Sequence, residues 1–169
     1  SRVAPGQMLD KEDFSVRVVY SDGQTVLLTE DQFVLEPDTI PADEESRETF
    51  PVKVIWPEGG LEEEIQLKVV DETEITREMV DAGVKDADTG LDVTLNTGDV
   101  TIPEYIIWEG TEYHVTGIAA EAFGGSTVQD ANLDITGIHF PDSIRTISDA
   151  AFGYCENLTG ELELPESLT

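Results

Sequence analysis

Cys155, His114 and His139 are the one thiol and the two imidazoles of this chain. Cys155 is a candidate nucleophile, with His114 or His139 as its base. A catalytic thiol needs a lowered pKa and a base close by. One cysteine forms no internal disulfide, four-cysteine zinc sites are excluded, and two histidines cannot supply a three-histidine zinc site. For hard cations, Asp86-Ala87-Asp88-Thr89-Gly90-Leu91-Asp92 sets acids at alternate positions. A calcium loop of the EF-hand type needs Gly sixth and Glu twelfth. Here Gly90 is fifth and Thr97 twelfth, so the segment reads as a polar hairpin turn. Trp56 and Trp108 are candidate sugar-stacking platforms, with packing as the plainer role for each. Asp43-Glu44-Glu45 and Glu62-Glu63-Glu64 read as solvated charge runs. Glycoside hydrolysis needs two carboxyls at a set separation across a cleft. With 37 acids some pair is inevitable, so the sequence offers no evidence for that chemistry. The chain contains no Gly-rich phosphate loop and no nucleophile elbow.

Whatever positions these residues is built from 169 residues, enough for one domain or two small ones with a real core. Asp and Glu number 37 against 9 Lys and Arg, a formal net charge of −28. That balance excludes nucleic-acid binding through a basic surface, because phosphate contacts need Lys and Arg. It argues equally against docking on anionic lipid. No apolar run approaches the roughly 20 residues of a membrane helix. Residues 1–75 carry 19 acids and 6 bases, and residues 76–169 carry 18 and 3. The acidity is therefore a solvated surface spread over both halves, and its self-repulsion favours a soluble monomer. Residue 1 is Ser and no signal peptide is visible, which decides little. A single Cys fits the cytosol, or secretion from an organism that avoids disulfides.

A boundary falls near Asp71–Thr76, and residues 1–75 read as all-β. Phe14, Val16 and Val18 alternate on one face, and Ser21-Asp22-Gly23 is a turn before Thr25-Val26-Leu27-Leu28. Phe33-Val34-Leu35 is a short strand stopped by Pro37, and Pro41 to Glu48 is an acidic loop. Phe50 to Trp56 alternates again, with Pro51 predicting an edge position. Pro57-Glu58-Gly59-Gly60 is a turn, and Ile65-Gln66-Leu67-Lys68-Val69 is a clean alternating strand. Short strands separated by turns imply a sandwich. The segments "VRVVYSDGQTVLLT" and "FPVKVIWPEGGLEEEIQLKVV" resemble the bacterial Ig-like domains of surface proteins, over about residues 8–71. That resemblance implies a spacer or adhesive module with no catalytic residues.

Residues 76–169 contain a repeat. Ile118-Ala119-Ala120-Glu121-Ala122-Phe123-Gly124 returns 29 residues later as Ile147-Ser148-Asp149-Ala150-Ala151-Phe152-Gly153. Ile138-His139-Phe140-Pro141 returns as Leu162-Glu163-Leu164-Pro165, 24 residues on. An insertion around Ser126–Asn132 reconciles the two offsets. Ile138 and Phe140 share one side of a short strand, as do Leu162 and Leu164, while Phe123 and Phe152 fill the interior beside small Ala. One unit cannot bury that face alone, so units must stack. Between the halves, Glu72–Val84 forms a linker or a short helix, with Ile75, Met79 and Ala82 near helical spacing and Gly83 as a stop.

The pattern Ile-x-x-x-Ala-Phe-x-x-Cys with Leu-Thr-Gly and Leu-Pro-x-Ser-Leu resembles the BspA-like leucine-rich repeats of bacterial surface proteins. Phe152 to Leu158, with Ala151 before them, carry the Ala-Phe-x-x-Cys-x-x-Leu step completely, whereas Ser126 stands where the first unit would have Cys. Val93-Thr94-Leu95, Val100-Thr101-Ile102-Pro103 and Tyr113–Ile118 look like the family's N-terminal strand cap. The expected fold is mainly β: an Ig-like β-sandwich at 1–75, then a cap and a short leucine-rich-repeat solenoid at 76–169, incomplete at Thr169. In that frame Cys155 is interior, where a free thiol behaves as a small hydrophobe. His139 points away from Ile138 and Phe140, onto the concave sheet face, with Glu163 as its counterpart and Glu161 nearby. The resemblance implies a non-enzymatic protein with no cofactor, secreted or on a bacterial cell surface. It would recognise host or matrix protein or glycan through His139, Glu161 and Glu163, with Trp108 as an outlying candidate. The rival expectations are a structural spacer for a downstream domain and an ancillary carbohydrate-binding module.

Overall fold

The structure is a computed structural model that describes residues 2–42, 49–125, 127, 129, 131, 134–159 and 162–169. The protein is mainly β, with one short α-helix among the described residues. It divides into two compact units, Ser1–Asp71 and Glu72–Thr169. The division lies a few residues before the 75/76 boundary read from the sequence, because Glu72–Ile75 is drawn into a strand of the second unit. No helix among the described residues is long and apolar enough to cross a membrane.

Among the described residues the first unit has six strands: β1 (Arg2–Val3), β2 (Arg17–Val19), β3 (Thr25–Leu27), β4 (Val34–Glu36), β5 (Phe50–Trp56) and β6 (Leu61–Val69). A four-stranded sheet runs β1-β6-β5-β4, and β2 and β3 form a separate antiparallel hairpin. Alternation decides which side faces in. Ile65, Leu67 and Val69 turn inward on β6, while Glu62, Glu64, Gln66 and Lys68 are exposed. Val52 does the same on β5, and its buried neighbours include Phe33, Leu35 and Ile40. Val18 is buried and Val16 and Phe14 are half-buried, so the expected face holds although the strand is only three residues long.

Pro51 does not mark an edge strand, since β5 lies between β4 and β6. It avoids conflict locally: β4 pairs only with Lys53–Ile55, so Pro51 faces β6 through Gln66 and has no β4 residue opposite. At the far end of β5 the Trp56 ring lies over Gly59, where a Cβ would fall 2.0 Å from the indole. The turn therefore needs glycine there to let the ring pack on the core.

The second unit contains β7 (Asp71–Ile75), α1 (Arg77–Ala82), β8 (Val84–Asp86), β9 (Asp92–Val93), β10 (Gly98–Thr101), β11 (Tyr105–Trp108), β12 (Thr111–Ile118), β13 (Ile135–His139) and β14 (Thr146–Ile147). Helix α1 is the short-helix alternative: Thr76 accepts from the Met79 amide as N-cap, and Gly83 ends it at φ 78°. Met79 and Val80 anchor it in the core. One sheet runs β14-β12-β11-β8-β9 with β7 also on β12, and β10 pairs β13 separately.

The repeated segments lie side by side. Gly117 and Ile118 pair in parallel with Thr146 and Ile147, 29 residues on. The register continues past the strands, with Phe123 N–H donating to Ala151 O at 2.9 Å and Gly125 N–H to Gly153 O at 3.1 Å. The Phe123 and Phe152 rings stack at 5.1 Å. Glu121 and Ala150, also 29 apart, both take the left-handed conformation, at φ 56° and 53°. The serines repeat too: Ser143 Oγ donates to Val115 O and Ser167 Oγ to Ile144 O, each at 2.7 Å. The last repeat departs from expectation. Residues 162–164 form no strand, and Leu162 and Leu164 are exposed.

The contact between repeats closes at glycine. A Cβ on Gly124 would lie 2.1 Å from Gly153 N and 2.5 Å from Ala150 O, and one on Gly153 would lie 2.8 Å from Gly125 O. These obstacles are backbone and cannot swing aside. Gly124→Ala should therefore destabilise the second unit by about 3 kcal/mol, the upper end of overpacking costs, as read by urea unfolding. Gly59→Ala should instead displace Trp56 in the first unit. The expected readout is a shifted Trp56 indole N–H resonance with the second unit's amide resonances unchanged.

Candidate functional site

The exposed face of β10 and β13 is the best-defined polar surface among the expected contact residues. Val100 pairs with Ile138, and both are buried. The neighbouring rows, Asp99 with Gly137 and Thr101 with His139, therefore project to the other side. Asp99, Thr101 and His139 are exposed. The register shifts between Gly98 and Asp99, where Ile135 faces Gly98 but Gly137 faces Asp99. This irregularity lets both Ile135 and Ile138 face the core although they are three residues apart.

His139 Nε2 lies 3.0 Å from Asp99 Oδ1, and the two side chains are 61% and 66% exposed. Gly137 makes the pair possible. The Asp99 carboxylate lies across it, so close that a Cβ there would be 2.3 Å from Oδ1. Asp99 thus reaches diagonally over a bare backbone to the histidine. A contact this exposed contributes little to stability, and its groups remain available to a partner.

Glu163 is exposed, and His139 is not among the residues that line the depression beside it. Glu163 lines this open depression of about 570 Å³ with Phe140, Asp142, Leu164 and Glu166. Glu161 lies outside the described residues, as do Asp43, Glu44 and Glu45. Trp108 is elsewhere in the second unit, at the end of β11, where Glu109 and Gly110, both with positive φ, turn the chain into β12. The sequence-read contacts thus divide among the sheet face, the depression and the hairpin.

The remaining candidates have structural roles. Cys155 is buried, and its thiol donates to Phe123 O at 3.4 Å, across the repeat contact. Asp86 spends one carboxylate oxygen on the Asp88 and Thr89 amides, both at 2.8 Å, which is the hairpin-turn role. No group of three or more metal-ligating side chains occurs among the described residues.

His114 stacks on Tyr105 at 4.7 Å. Its Nε2 is buried without a hydrogen bond, and the nearest carboxylate oxygen, Glu104 Oε1, is 3.5 Å away. That separation is too long for a strong bond. Burial pushes its pKa below the ordinary histidine value, outweighing the attraction of Glu104 and Glu72.

Asp99 and Gly137 were the contacts missed in the sequence. Asp99 shows there only as a polar residue beside Val100, and its pairing with His139 depends on a shifted register between strands almost 40 residues apart. No family model matches the chain, and no curated protein or solved structure matches it.

The His114 environment gives a pH dependence with a definite sign. The folded state holds the imidazole neutral more strongly than the unfolded chain does. As pH falls below the unfolded value near 6.5, the unfolded chain takes up the proton first, so stability is lost from there down through the folded pKa. The second unit should be less stable at pH 5.5 than at pH 7.5. His114→Gln should flatten that difference in urea titrations at the two pH values.

Proposed function

We propose that this protein is a non-enzymatic recognition module displayed on a bacterial surface or secreted, and that it binds a protein partner through the exposed face of β10 and β13. In this reading the first unit is an Ig-like sandwich. The second unit is the cap and opening coils of a leucine-rich-repeat solenoid, and β10 and β13 belong to its concave sheet. The carrying observation is the Asp99–His139 pair, held over Gly137 on a sheet face whose other side is locked into the core. A rigid strand pair presents polar groups at fixed spacing, so a partner binds without first ordering that surface.

The repeat geometry supports the solenoid reading. Parallel pairing at 29 residues, the stacked phenylalanines and the recurring serine bonds are what repeated units need to bury a face that none buries alone. The charge supports the choice of partner. A chain of net charge −28 attracts proteins that present basic groups, and such attraction weakens as salt rises.

Binding of the 169-residue chain to a panel of matrix proteins and glycans, at low and moderate salt, tests the proposal. The expected result is saturable, salt-sensitive binding that falls by about tenfold or more in an Asp99→Asn, His139→Ala double variant. Silence from every protein of the panel with a folded chain, or protein binding indifferent to the double variant, would favour the spacer role.

A further inference from the structure

The hairpin at the end of β11 borders a depression of about 400 Å³ that the sheet-face reading leaves unused. Its walls include Val93, Ile107 and Trp108, and Lys85, Asp92, Thr94 and Glu109 bring polar groups to it. The volume lies at the low end for small-molecule sites, roughly 300–1,000 Å³. A mostly apolar wall with a few polar groups is the usual make-up of such sites.

Trp108 packs on the second unit's core while lining the depression. Its ring is therefore held in place before any ligand arrives, which lowers the ordering cost of stacking on it. Gly110 stands at the border, and a Cβ there would meet nothing within 4 Å, so the approach beside the tryptophan is open.

Charge narrows the ligand. Lys85 is ion-paired to Asp92 and Glu109 adds a second carboxylate to the lining, so the depression presents no uncompensated cation for an anion, and the chain as a whole repels one. A purely apolar group would cover Asp92, Lys85 and Thr94 without giving them hydrogen bonds, which is costly. A ligand with an apolar face and a ring of hydroxyls meets both demands. We infer that this depression is a binding site for a neutral saccharide of one or two pyranose rings. One sugar face stacks on Trp108, and its hydroxyls hydrogen-bond with the Lys85–Asp92 pair. The site is separate from the β10–β13 face, so either can fail without the other.

An NMR titration of the 169-residue chain with glucose, mannose, galactose, cellobiose and lactose, and with glucuronate as the anionic comparison, tests the inference. The expected result is a saturable shift of the Trp108 indole N–H and the Gly110 amide with at least one neutral sugar and a weaker response to glucuronate. Asp92→Asn should weaken binding by about tenfold, Trp108→Ala should abolish it, and Asp99→Asn with His139→Ala should leave it unchanged. Asp92 is exposed, so its variant remains decisive even if Trp108→Ala fails to fold. No shift at Trp108 with any neutral sugar at tens of millimolar would overturn the inference. So would affinity unchanged in Asp92→Asn, or preference for glucuronate.

Discussion

The close approach of two backbones at Gly124 and Gly153 is the constraint on which the second unit depends. Side chains cannot fill that contact, because a single added carbon at Gly124 would meet the main chain of the next repeat. Once the backbones close, their amides and carbonyls pair in parallel from Thr116–Arg145 through Gly125–Gly153. The Phe123 and Phe152 rings then have one place to go, stacked beneath the contact with Phe140 edge-on to the second. Cys155 completes the arrangement by bonding across it. The contact glycines and the stacked phenylalanines recur at the same 29-residue spacing, so the loss of one disturbs the register of the other.

The same stacking accounts for where polar chemistry is displayed. Burying Val100 and Ile138 leaves Asp99, Thr101 and His139 on the open side of a paired, rigid ladder. The two candidate surfaces differ in kind. The ladder offers exposed charge and suits a partner found through electrostatic attraction, whereas the Trp108 depression is small and largely apolar. A surface module with one polar face and one sugar-sized hollow would combine long-range capture with short-range selection.

Much of this was legible in the sequence because periodicity is local. The alternation of Ile65, Leu67 and Val69 gave the inward face of β6, and the Ala-Phe-Gly recurrence gave the 29-residue partnership that the structure realises as backbone pairing. Thr76 and Gly83 bounded the helix through capping chemistry. What was not legible depends on distant register. Pro51 pointed to an edge, but its freedom comes from the shortness of β4 rather than from the position of β5. Asp99 met His139 only because a shift at Gly98 and the bare backbone of Gly137 aligned them. Glycine carried more information than its abundance suggested, since Gly59, Gly124 and Gly137 each mark a place where another group lies against the main chain.

Native-state hydrogen exchange of the second unit tests the account most directly. Phe123, Gly124 and Gly125 donate their amides to the following repeat, and Ser148 donates to the preceding one. The account predicts that these four amides are protected and exchange together, with a free energy close to that of the β11–β12 amides, because the repeat contact opens only when the unit unfolds. Rapid exchange of the four while β11 and β12 remain protected would contradict it. It would show that the repeats lie beside one another without being held.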